Sequence, residues 1–234
     1  MMPPGASREI EVKLRVADLA ALRRRLAKTR ARPDAAGRVH ESNTLYDTPQ
    51  GGLAKHGQLL RIRRIELPKA RRAAPAAILT YKGPSEKTAP AGGARGARYK
   101  VRDEVELPIT DPERLGHILE ALGLRGWFRY EKFRTAYRLP ARQAWAAGLQ
   151  VVLDETPIGA FVELEGPPQA IDRMAGLLGY RPGDYITKSY LGLYLDQCRR
   201  QGTPPSHMVF SAGNEPQKSN AKCQSFLDKT FVCL

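Results

Sequence analysis

Charged residues two positions apart recur along this chain, with apolar residues set among them. Glu9, Glu11 and Lys13 alternate with Ile10, Val12 and Leu14, and Arg61 and Arg63 flank Ile62. Lys82 follows Tyr81, and Arg102, Glu104 and Glu106 run beside Val101, Val105 and Leu107. Lys132 and Arg134 flank Phe133, Asp154 follows Leu153, and Glu163 and Glu165 flank Leu164. A period of two belongs to strands, whose successive side chains point to opposite faces, so each charged set shares one face. Arg suits phosphate because its planar fork matches the oxygens, and Lys adds a compact charge. Carboxylates beside such cations can hold Mg2+ or Mn2+, which prefer oxygen ligands.

The elements that must position these residues follow from the same patterning. Strands are expected at Glu9 to Val16, Val39 to Tyr46, Leu59 to Leu67, Ala77 to Lys82, Lys100 to Leu107, Arg129 to Leu139, Leu149 to Glu155 and Gly159 to Glu165. Helices are expected at Ala17 to Lys28, Asp111 to Leu122, Pro168 to Leu178 and Ser189 to Arg200. Leu115, Ile118, Leu119 and Leu122 form an apolar stripe on the second of these, and Tyr190, Leu191, Tyr194 and Leu195 one on the last. Asp47 to Gly52 is a turn, and Gly83 to Gly96 reads as a mobile loop. Residues 202–234 lose periodicity and read as a disordered or loosely attached tail, which leaves 1–201 as a single domain.

The strands are not separated by regular helices, so an α+β antiparallel sheet or barrel is favoured over a doubly wound fold. Two readings of the charged faces are open. The default is a sheet with one wet face, its opposite charges paired across strands. The alternative is a closed or nearly closed antiparallel β-barrel with the charges lining its lumen and amphipathic helices covering the apolar outside. Unpaired cations in a lumen are costly, so that geometry requires a hydrated tunnel holding a polyanion.

Composition excludes several classes. The chain has 234 residues, 38 Lys and Arg against 24 Asp and Glu, and a net charge of +14, which points to an anionic partner. No apolar run approaches the ~20 residues of a membrane helix. No apolar leader stands at the N-terminus, so a cytoplasmic location without membrane association is expected. Cys198, Cys223 and Cys233 are odd in number and not at metal spacing, which excludes a disulfide scaffold. His40, His56, His117 and His207 form no metal motif.

Glu9-Ile-Glu11-Val-Lys13 resembles the ExExK signature of the CYTH superfamily, which includes class IV adenylate cyclases, thiamine triphosphatases and inorganic triphosphatases. The downstream elements follow in the family's order. Tyr46-Asp47-Thr48-Pro49, Leu60-Arg61-Ile62-Arg63 and Thr80-Tyr81-Lys82-Gly83 resemble its turn, its paired-arginine strand and its lysine strand. Arg102 to Glu106, Lys132-Phe-Arg134, Asp154, Glu163-Leu-Glu165 and Thr187-Lys188-Ser189-Tyr190 complete the set, so the resemblance spans about Arg8 to Arg200.

The resemblance implies a triphosphate tunnel and moves the lumen reading ahead of the wet face. It implies that Arg61, Arg63, Lys82, Lys132, Arg134 and Lys188 cradle triphosphate oxygens, and that Arg102 joins them or orders the neighbouring glutamates. Lys13 would reach a phosphate or assist the attacking group. Glu9, Glu11, Glu163 and Glu165 would bind Mg2+ or Mn2+, with Asp154, Glu104 and Glu106 taking a second metal or holding basic side chains. The implied activity is metal-dependent hydrolysis of a small anionic triphosphate by in-line water attack, with Glu9, Glu11 and Lys13 as the catalytic set.

Two departures narrow the substrate. Class IV cyclases carry His-Phe shortly before the first glutamate, where this chain has Pro3-Pro4-Gly5-Ala6. Thiamine triphosphatases place a tyrosine where Leu45 stands here. What remains is inorganic tripolyphosphate, the expected substrate, or a nucleoside triphosphate handled through its phosphates. The alternatives are cyclic AMP formation from ATP, and a non-catalytic module that binds polyphosphate or nucleic acid. Nucleic acid is disfavoured: Arg23-Arg24-Arg25 lies on the polar side of a leucine-striped helix, Arg71-Arg72 in a turn, and no stacking platform is evident. Gly92 to Gly96 lacks the strand and Gly-Lys-Ser/Thr context of a phosphate loop. Trp127 and Trp145 are expected to pack in a core or interface, and a homodimer is allowed.

Overall fold

Strand β1 (Ser7–Val16) carries the alternation that sets the architecture. In the computed structural model, which describes residues 6–66, 77–86 and 98–211, Val12, Leu14 and Val16 point outward into the main apolar core. Glu9, Glu11 and Lys13 point the other way and are buried as well. A strand buried on both faces must lie in a wall with a packed outside and an enclosed inside.

That wall is a closed antiparallel barrel. The other strands are β2 (Arg32–Asp47), β3 (Leu59–Glu66), β4 (Ala77–Lys82), β5 (Lys100–Ile109), β6 (Arg125–Arg138), β7 (Gln150–Thr156) and β8 (Gly159–Glu165). They close in the order β1-β5-β4-β3-β2-β6-β7-β8. The registers bring the charged sets face to face: Lys13 opposite Glu163, Glu9 opposite Arg102, Lys82 opposite Glu104, Glu41 opposite Lys132, and Arg134 opposite Asp154. The lumen reading of the charged faces therefore holds, and the wet-face reading does not.

Helices cover the outside. In α1 (Leu19–Lys28), Asp18 caps the first turn by accepting from the backbone N–H of Ala20 and Ala21, two of the four donors such an end leaves open. Leu22 and Leu26 enter the core beside Ile171, Met174, Ala175 and Leu178 of α4 (Pro168–Leu177) and the residue after it. Helix α3 (Pro112–Ala121) sits against β6 and β3. Its expected stripe is only half used: Leu119 is buried, but Ile118 is 51% and Leu122 72% exposed. Trp127, expected to pack, is 44% exposed, whereas Trp145 packs on the main core under Arg173.

The expected turn after β2 contains a short helix, α2 (Gly52–Lys55). The buried Asp47 holds it, accepting from the N–H of Thr48, Leu53 and Ala54 at 2.7–2.9 Å. Helix α5 (Tyr190–Gln201) packs Tyr190 against Phe161 and Tyr130 of the barrel wall. Of residues 202–211, expected to be loose, 206–210 attach to the barrel and to α5, while 202–205 are exposed. Met208 is buried and bridges to Tyr130 in parallel, and the Phe210 ring lies 5.2 Å from that of Phe133. The apolar spacing here is too sparse to mark it in sequence, but it completes the exposed edge of β6. Residues 212–234, the Arg71-Arg72 pair, Pro3 to Gly5 and most of the expected 83–96 loop lie outside the described residues.

Candidate active site in the barrel lumen

The lumen holds a cavity of about 210 Å3 walled mostly by the alternating charged positions. Glu9, Glu11 and Lys13 come from β1, Arg61 and Arg63 from β3, Lys82 from β4, Arg102, Glu104 and Glu106 from β5, Lys132 and Arg134 from β6, and Glu163 and Glu165 from β8. Asp154 of β7 is fully buried behind Lys132 and Arg134. Lys188 is the exception among the expected site residues. Its side chain is 62% exposed and pairs with Asp196 on α5, outside the cavity, and Ser189 lines the wall in its place.

The sequence reading passed over several wall residues. Glu41 and Asn43 share the inward parity of Leu45 on β2 and are buried. Lys100 stands two before Arg102, and Tyr130 two before Lys132. Parity alone could have found all four. Tyr190, expected to serve only as packing, projects into the site and donates to Asp154 Oδ2 at 2.8 Å. Nothing in its helical spacing announces that.

Every cavity cation except Arg102 has a carboxylate within 4.0 Å. Lys13 Nζ lies 3.1 Å from both Glu11 and Glu163. Lys82 donates to Glu9 at 2.5 Å and lies 3.1 Å from Glu104. Lys100 donates to Glu11 at 2.5 Å. Lys132 contacts Asp154 at 2.9 Å and Glu41 at 3.4 Å. Arg134 grips both oxygens of Asp154 at 2.7 Å and also bonds Glu163. Arg63 reaches Glu106 at 3.4 Å and Arg61 reaches it at 3.7 Å. The cost expected of crowded cations is thus offset by charge pairing, the condition under which buried charge is tolerated. Arg102 has no such partner among the described residues, and its Nε is buried without a hydrogen bond.

These pairs set the protonation states. Burial pushes Glu11 up, but Lys13 and Lys100 outweigh it and hold the carboxyl well below the usual range. Burial pulls Lys13 down, but Glu11 and Glu163 outweigh that and hold it above its ordinary value. Lys13 is therefore a fixed cation rather than a base. Lys100 goes the other way: burial dominates and pulls it down to about 8. Tyr130 accepts from Arg61 at 3.0 Å; burial pushes its phenol up, yet Arg61 and Lys132 bring the net shift below the ordinary value.

The carboxylates divide by partner, and this regroups the expected metal ligands. Glu11, Glu163, Asp154 and Glu106 are engaged by cations. Glu9 and Glu104 are engaged as well, by Lys82, and together with Glu165 they bring one oxygen each within 4.8 Å of one another. Burial, then the neighbouring Glu9, pushes Glu165 up to about 7, as clustered like charges require. Glu9 Oε2 is buried with no hydrogen-bond partner. Three converging carboxylates with an orphaned oxygen are a donor set suited to Mg2+ or Mn2+. Gly166 follows Glu165 at φ +142°, where a Cβ would meet Gly148 O at 2.5 Å, so only glycine lets the chain leave this wall so tightly.

A closed barrel with paired cations and carboxylates inside defines a charged-lumen tunnel fold. The chain belongs to the CYTH domain family, whose model matches residues 7–189. No curated protein matches the chain. Among solved structures, PH1819 protein from Pyrococcus horikoshii OT3 is similar at TM-score 0.59 and 22% identity, covering 81% of this chain and 99% of that one. A protein described as "putative adenylate cyclase" from Vibrio parahaemolyticus is similar at TM-score 0.57 and 20% identity, covering 78% and 95%. At these identities the likeness concerns the fold. No described helix is long and apolar enough to cross a membrane.

Proposed function

We propose that this protein is a metal-dependent triphosphatase whose substrate is inorganic tripolyphosphate, hydrolysed by in-line attack of water on a terminal phosphoryl group. The observation that carries this reading is the placing of the Glu9, Glu104 and Glu165 cluster on the wall of a cavity that eight lysines and arginines also line. A cavity of about 210 Å3 is small beside the roughly 300–1,000 Å3 of organic-ligand pockets, which favours a bare phosphate chain.

In this reading Arg61, Arg63, Lys82, Lys132 and Arg134 exchange part of their carboxylate contacts for phosphate oxygens. Arg102, without a carboxylate partner among the described residues, engages the chain directly. Lys13, kept protonated by Glu11 and Glu163, stabilises charge on the transferred group or the leaving phosphate. The rest of the rate comes from holding the chain in line inside a water-poor barrel. Glu9, Glu104 and Glu165 would hold Mg2+ or Mn2+, which draws charge from the phosphoryl oxygens and supplies a more nucleophilic water.

The test is 31P NMR with Mg2+ or Mn2+, offering tripolyphosphate, ATP and thiamine triphosphate in turn. Orthophosphate plus pyrophosphate from tripolyphosphate, with ATP largely spared, is the expected result. Cyclic AMP and pyrophosphate from ATP would make the protein a cyclase. Binding of tripolyphosphate without turnover would make it a polyphosphate-binding module.

A further inference from the structure

A second basic surface lies where the end of α1 meets the start of β2 and the end of β6. An open groove of about 1050 Å3 is lined there by Arg30, Arg32, Arg138 and Arg142, between walls of alanine, proline and leucine. It shares no lining residue with the tunnel cavity. Arg138 lies four residues beyond Arg134 on β6, roughly 13 Å along the strand.

Three observations indicate that the groove is built for an anion. All four arginines are exposed, and none has a carboxylate partner among the described residues. The one acidic residue in the groove, Asp34, is used by its own turn, accepting from the N–H of Ala36 and Gly37 at 3.0 and 3.2 Å. Second, Arg32 and Arg138 stand directly opposite each other in the β2–β6 register. Like charges so placed repel, which is destabilising until a counter-charge joins them. Third, Arg30 has φ +62°, the only non-glycine among the described residues with a positive φ. It follows the end of α1, a position that glycine takes with least strain. The chain places a charged side chain there instead.

We propose that this groove is a second polyanion site, and that its ligand is an inorganic polyphosphate chain. Four arginines on two chain segments, 30–32 and 138–142, suit a ligand with several phosphates, each matched by a guanidinium fork. No aromatic residue lines the groove, so it can grip phosphate but offers no platform for a base. The proposal rests on residues outside the tunnel and stands whether or not the tunnel hydrolyses tripolyphosphate.

The test is fluorescence anisotropy with labelled long-chain polyphosphate at fixed salt, the tunnel saturated with tripolyphosphate and no divalent metal present. Single-stranded RNA of matched charge is the comparator. The double variant Arg32→Ala/Arg138→Ala should bind polyphosphate about tenfold more weakly or worse, with tripolyphosphate binding and turnover unchanged. Arg30→Gly should raise the melting temperature, because it relieves the left-handed strain, and yet weaken polyphosphate binding severalfold. That variant keeps the question answerable if the double variant folds poorly. Unchanged polyphosphate affinity in Arg30→Gly or in the folded double variant would overturn the proposal. So would RNA that binds more tightly than polyphosphate and depends on the same arginines, which would make this a nucleic-acid face.

Discussion

Glu41 stands directly opposite Lys132 in the β2–β6 register, its carboxylate 3.4 Å from the ammonium. Burial alone would raise this carboxyl, but Lys132 and Arg134 outweigh it and hold it at about 2. A carboxylate with a depressed folded pKa adds stability above its unfolded value, about 4.5, and that stability is lost as pH falls toward 2. Glu41→Gln should therefore flatten the pH dependence of stability between about 4.5 and 2. Urea midpoints across that window check it; a slope identical to wild type would show that Glu41 is not held by these cations.

Arg134 and Arg102 both face the lumen, but their substitutions should differ in kind. Arg134→Met takes from buried Asp154 its two-pronged guanidinium partner and from Glu163 one of its two cations, and should cost about 3–5 kcal/mol. Arg102→Met strands no carboxylate, so it should leave the melting temperature near wild type while raising KM for tripolyphosphate. Thermal unfolding and steady-state kinetics on both variants separate the two. A large stability loss in Arg102→Met would mean that the residue is structural.

The Glu9, Glu104 and Glu165 cluster should couple metal to protons. In the metal-free protein Glu165 binds its proton up to about pH 7 against an ordinary 4.5, so its contribution to stability falls as pH rises through that window. A bound cation reverses the preference and expels the proton. Mg2+ affinity should climb with pH and level off above about 7, and the Mg2+-induced rise in melting temperature should vanish in Glu104→Gln. Calorimetric titrations at several pH values check both. An undiminished Mg2+ effect in Glu104→Gln would place the metal elsewhere.

The outer packing makes a contrasting pair. Ile171 on α4 is fully buried, so Ile171→Ala should cost about 2–5 kcal/mol. Leu122→Ala, at 72% exposure, should fall within about 0.5 kcal/mol of wild type. Chemical denaturation of the two variants measures this. A large loss at Leu122 would mean that the exposed half of the α3 stripe is covered in solution.

Much of the site was legible because strand parity is a local property. The period-two spacing of Glu9, Glu11 and Lys13, or of Lys132 and Arg134, needs no tertiary knowledge to assign a shared face. The same parity extends to Glu41, Asn43, Lys100 and Tyr130, which passed unread because no motif marked them. Lys188 was misplaced for the opposite reason. It lies beside a motif but just before a helix, where alternation no longer holds and Asp196 is within reach.

By itself, then, the sequence determined which residues share a face and which segments are strands or amphipathic helices, because periodicity and capping act over a few residues. It left open whether the charged faces meet water or one another, since both choices satisfy the same alternation. Barrel closure decided that, by covering the apolar face with α1 and α4 and enclosing the charged one. Closure also sorted the carboxylates. Which of them are taken up by two cations each, and which converge on one another beside Lys82, depends on register across strands far apart in the chain, and no local pattern encodes that distance.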